Sequence, residues 1–64
     1  MIALDVTRNA DGTFEVFYNG EHVRSNVPER WLNEELCVRY GFCGEEYDLI
    51  LKQLNERGHA SLRY

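Results

Sequence analysis

The sequence predicts an α+β fold, a four-stranded mainly antiparallel sheet with two helices packed on one face, in the order βββααβ. Three observations lead to it. Residues 1–24 alternate apolar and polar side chains around two turn signals, Asn9-Ala10-Asp11-Gly12 and Asn19-Gly20. Residues 27–58 switch to helical spacing, and residues 59–64 return to alternation. The chain has 64 residues and reads as one domain, 1–64. A domain of this size buries only about 60% of its unfolded surface, so a disulfide, a metal or a partner would help it.

The first strand places Ile2, Leu4 and Val6 on one face and Ala3, Asp5 and Thr7 on the other. A type I turn closed by Gly12 makes a three-residue hairpin with a G1 bulge, which pairs Thr7 with Glu15, Val6 with Val16 and Leu4 with Tyr18. A four-residue loop would set Val6 against Glu15 and turn the core face over. Asn19-Gly20 then signals a two-residue type I′ turn. It pairs Phe17 with His22, Val16 with Val23, and Glu15 with Arg24 as a cross-strand ion pair. Phe17 falls on the outer face with His22, which is unusual for a solvated surface.

Pro28 suits the first turn of a helix, and Glu29 favours its positive end. Leu32, Leu36 and Tyr40 recur every four residues as the buried stripe, with Trp31, Glu35 and Val38 on its flank. Gly41 falls at the position after the C-cap, and Phe42 packs back as in a Schellman cap. The second helix opens on Glu45, Glu46 and Asp48, buries Tyr47, Ile50, Leu51 and Leu54, and ends at Gly58. Leu49 points away from that stripe, among Glu45, Lys52 and Glu56. The last strand, His59–Tyr64, pairs with the free edge of the first to give the spatial order 3-2-1-4. The expected core is Ile2, Leu4, Val6, Phe14, Val16, Tyr18, Val23, Leu32, Leu36, Tyr40, Tyr47, Ile50, Leu51, Leu54 and Leu62.

A net charge of −4 disfavours direct nucleic-acid binding and attraction to an anionic membrane. Six of the seven basic residues are Arg, which favours fixed pairing within the molecule. The start Met-Ile-Ala-Leu-Asp lacks a basic leader and no apolar run approaches membrane-spanning length, so a cytoplasmic location is expected. Reduced thiols follow as the default for Cys37 and Cys43. A bond across the helix C-cap stays geometrically open, because the cap brings the chain back over its last turn. Their Cys-x5-Cys spacing is not a zinc-ligand spacing, and His22 and His59 come from separate elements, so no metal site is expected.

His22 beside Phe17 and Asp5 has no nucleophile placed next to it, and His59 is expected to meet the carbonyls ending the second helix. No phosphate-loop, dinucleotide or zinc-protease motif occurs. The expectation is a non-enzymatic protein with no catalytic residue and no cofactor. The helix pair carries seven acids against four bases, a balance of −3, which argues against a DNA-reading helix pair.

The acidic clusters Glu34-Glu35 and Glu45-Glu46, the small size and the acidic balance together resemble the small phage-encoded inhibitor proteins of the anti-CRISPR type. The resemblance implies a protein-binding inhibitor that blocks a basic, nucleic-acid-handling partner. The expected binding residues, read from the helix surface, are Glu34, Glu35, Glu45, Glu46, Leu49, Glu56 and Trp31, an apolar anchor ringed by charge. The alternative is a structural homodimer that uses the outer sheet face with Phe17, His22 and Arg24, or a paired edge strand.

Overall fold

The computed structural model describes residues 1–64. Strands β1 (Ala3–Arg8), β2 (Phe14–Tyr18), β3 (Glu21–Val27) and β4 (His59–Arg63) form one antiparallel sheet in the spatial order β3-β2-β1-β4. Between β3 and β4 run α1 (Glu29–Glu34), a π-helical segment (Glu35–Arg39) and α2 (Glu45–Arg57). No helix is long and apolar enough to cross a membrane.

The first hairpin forms as its turn chemistry requires. Val6 faces Val16, Thr7 faces Glu15 and Leu4 faces Tyr18. Gly12 takes φ +87° and its N–H donates to the Asn9 carbonyl, closing the type I turn. In the second hairpin Asn19 and Gly20 both take positive φ, as a type I′ turn demands. The Asn19 carboxamide oxygen also accepts the Ala3 N–H at 2.8 Å, tying this turn to the start of β1.

Beyond that turn β3 departs from the expected register. Phe17 faces His22, but Val16 faces Arg24 and Phe14 faces Val27, so two extra residues enter β3. The expected pairs Val16–Val23 and Glu15–Arg24 therefore do not form. The first bulge keeps Val23 against the core and brings Arg24 to the helix side, where its Nε donates to Glu35 at 2.8 Å. At the second bulge Asn26 takes φ +56° and its N–H leaves the ladder. The Glu15 carboxylate accepts that N–H at 2.9 Å, together with the Ser25 hydroxyl and the Asn9 amide. A bulged, polar edge of this kind resists pairing with another chain.

Eleven residues form the core: Leu4, Val6, Phe14, Val16, Val27, Leu32, Leu36, Phe42, Ile50, Leu54 and Ala60. Tyr18, Val23, Tyr40, Tyr47, Leu51 and Leu62 pack against it, partly buried. Val27 and Phe42, absent from the expected core, enter it, the first because the bulges shift the register of β3. Ala60 is buried opposite Val6. Ile2 is exposed, because it lies beyond the end of β1, outside the helix cover.

Candidate functional site

The first helix starts one residue later than its sequence suggests: Pro28 is the N-cap, in extended conformation, and α1 begins at Glu29. Leu32 and Leu36 are fully buried and fix the helix against the sheet. Its outer face carries Trp31 and Val38, 57% and 76% exposed. With Glu34, Glu35 and Arg39 they line a shallow, open depression of about 440 Å³. On its other side Trp31 borders a second depression, against Arg24, Ser25, Asn26, Val27 and Pro28 at the edge of β3. The Arg30 guanidinium lies over the indole at 5.3 Å from the ring centre.

Charge on this face is balanced rather than acidic. One oxygen of Glu35 accepts from Arg24 at 2.8 Å and pairs with Arg39 at 3.1 Å, so Glu35 is spent within the molecule. Glu34 is exposed, and no hydrogen bond or ion pair engages its carboxylate. The remaining expected residues lie on α2, not beside Trp31. Glu45 and Leu49 share a second shallow surface with Asp48 and Lys52, where Leu49 is 50% exposed. Glu46 receives the Tyr64 hydroxyl, and this bond is the largest influence holding the Tyr64 pKa above its usual value. Glu56 is exposed near the opposite end of α2. The acidic helix surface is thus two regions: an aromatic one on α1 and an acidic one at the start of α2.

The helix ends differently from an ordinary Schellman cap. There the outer bond runs from residue six to residue one and the inner from five to two. Here Phe42 N–H donates to the Leu36 carbonyl and Gly41 N–H to the Cys37 carbonyl, each spanning one residue more. The extra residue belongs to the π-helical winding of Glu35–Arg39. This wider cap brings the Cα atoms of Cys37 and Cys43 to 4.7 Å, and the two are joined as a disulfide. The expectation of two reduced thiols is corrected: there are no free cysteines.

The outer sheet face also differs in its partners. His22 stacks on Phe17 at 4.7 Å and bonds Glu15 at 2.7 Å, not Asp5. Asp5 instead accepts from Ser61 at 2.9 Å and Arg63 at 3.1 Å. His59 is not at the carbonyls ending α2 but opens β4, with Nδ1 3.2 Å from the Thr7 hydroxyl and Nε2 4.0 Å from Asp5. This group lies open on the strand surface with no enclosing cavity beside it. Arg24 has left the face, and at the β4 edge Gln53 accepts the Ser61 N–H at 2.9 Å, so less of either feature is available to a second copy. No three His, Cys, Asp or Glu side chains converge to hold a metal ion. Neither protein-family comparison nor comparison with curated proteins and solved structures finds a match to this chain.

Proposed function

We propose that the protein is a non-enzymatic binding module that inhibits a basic, nucleic-acid-handling partner, with Trp31 and Val38 as the apolar anchor of its recognition face. The observation that carries this reading is the exposure of both side chains, side by side, on a helix whose opposite face is fully buried. A half-buried Trp beside an unpaired carboxylate has the make-up of an interface hot spot with a charged rim. The acids at the start of α2, Glu45 and Asp48, add a field that speeds the approach of a basic partner. The open depression beside Trp31 suits a side chain from another protein better than it encloses a small molecule. The cytoplasm, where such a partner works, is the compartment we propose.

Glu35 and Glu46 are poor test positions, because both hold internal contacts. The informative variants are Trp31→Ala and the double variant Glu34→Lys/Glu45→Lys, neither of which removes a buried contact. Wild-type bait in a cell lysate should retain basic nucleic-acid-binding proteins. Trp31→Ala should weaken that binding by about thirtyfold, corresponding to about 2 kcal/mol, and the double variant should slow association. Equal capture by all three chains would refute the reading. A particle of twice the monomer mass in light scattering, dispersed by Trp31→Ala, would instead make a second copy the occupant of this face.

A further inference from the structure

We propose that the Cys37–Cys43 bond is a redox clip: closed, it holds residues 35–42 in the wide π register that keeps Val38 and Arg39 beside Trp31; opened, it releases that register. The consequence for binding rests on the proposed role of the Trp31 face. The structural half of the inference does not.

A π turn holds one residue more than an α turn, and such turns are rare, so something must offset the preference for the narrower winding. Two features do so here. Phe42 is buried and its ring lies 6.0 Å from that of Tyr64, which anchors the end of the cap. The disulfide anchors its middle. Cys37 is held through its carbonyl by the Tyr40 and Gly41 N–H groups and through its sulfur by Cys43. Without the sulfur bond, the Gly41 N–H is free to move from the Cys37 carbonyl to that of Val38, the ordinary Schellman width. That change turns Val38 and Arg39 relative to Trp31 and disturbs the Arg39–Glu35 pair on the same face.

The bond is also accessible, since Cys43 is exposed. A dithiol reductant supplies the two electrons and two protons. One thiolate attacks the Cys43 sulfur and expels the Cys37 thiolate, which takes a proton. The second thiol then closes a cyclic disulfide on the reductant and releases Cys43 as a thiol.

Amide exchange on the intact chain, with and without dithiothreitol, tests the clip. Reduction should speed exchange at Gly41 and Phe42 by at least about tenfold more than it speeds amides in β1 and the middle of α2. Emission from Trp31, the one tryptophan, should shift in the same sample. The double variant Cys37→Ser/Cys43→Ser should reproduce the reduced protein without any reductant. Unchanged exchange at Gly41 and Phe42 would overturn the clip. So would equal acceleration throughout the chain, which would make the bond a support of the whole fold. Faster exchange with unchanged Trp31 emission would overturn the link to the recognition face. Failure of the Trp31 reading shows in the capture experiment and leaves these measurements unaffected.

Discussion

Helix α2 runs for 13 residues between two positive-φ glycines, Gly44 and Gly58, with acids in its first turn and Arg57 in its last. Its sequence carries start and stop signals that act locally. Helix α1 has six residues, no side-chain cap, and a π-helical continuation of five more. Neither length nor capping would sustain it alone, since isolated helices shorter than about 12 residues are marginal in water. It is held from outside: by the burial of Leu32 and Leu36, by Glu35 bridging Arg24 and Arg39, and by the disulfide at its end. The difference bears on function. Exposed Trp31 sits on the helix whose shape depends on tertiary and covalent ties, and Glu45, Glu46 and Asp48 sit on the helix that carries its own start and stop signals.

Truncation of the buried leucines offers the largest expected effect. Leu36→Ala and Leu54→Ala each remove a fully buried side chain and should each cost about 3 kcal/mol in urea unfolding. The two should differ in what survives. Leu54→Ala should leave residual helical ellipticity in mild denaturant, from the capped α2; Leu36→Ala should lose the α1 contribution as soon as packing fails. Equal residual signals would erase the distinction between the two helices. The disulfide comes next. It closes a loop of about seven residues, so opening it should lower stability by about 2 kcal/mol on the chain-entropy account. A reduced protein whose urea midpoint does not move would mean that packing alone holds α1.

Much of this contrast was legible in the sequence, and the rest was not, for physical reasons. Helix α2 was readable because Glu45, Glu46, Asp48 and Gly58 act on their own neighbours. The β1–β2 register was readable because Asn9–Gly12 admits one turn type that agrees with the apolar faces. The bulges of β3 were hidden, because they depend on Glu15, a residue ten or more positions away that captures Ser25 and Asn26. The same bulges carried Arg24 from the outer face to Glu35, which disqualified Glu35 as a free acid of the site. Leu49 stood out because it breaks the apolar period of its helix, and Trp31 because it lies on the flank of the buried stripe; both are exposed. The π winding left no compositional trace; the cap kept a Cys37–Cys43 bond geometrically open, but nothing in the spacing chose it over two reduced thiols.

The two helix ends allow a smaller and more even test. Gly41 and Gly58 take φ +79° and +72°, and an added Cβ at either meets no atom within 4 Å. Alanine there should therefore cost only the left-handed backbone term, about 1 kcal/mol, in thermal unfolding. Similar losses at both sites would show that the two C-caps rest on the same conformational demand despite their different widths. A much smaller loss at Gly41 would show that the wide cap tolerates another backbone path.

The lead-in to α1 supplies the smallest effect at neutral pH and the clearest pH signature. Glu15 fixes Asn26, the residue before buried Val27 and the N-cap Pro28, and so sets where α1 begins. Hydrogen bonds from the Asn9 side chain and the Asn26 N–H, then Ser25 and His22, favour its ionised form and lower its pKa from 4.5 to about 2. The folded state therefore holds the proton less tightly than the unfolded chain. The stabilisation is fully present above about 4.5 and is lost as pH falls toward about 2. Glu15→Gln keeps the shape and an acceptor but removes the titration. Between pH 5 and pH 2 the melting temperature of the wild type should fall more steeply than that of the variant. Parallel curves would mean that the carboxylate does not hold β3, and the position of α1 would then rest on Leu32 and Leu36 alone.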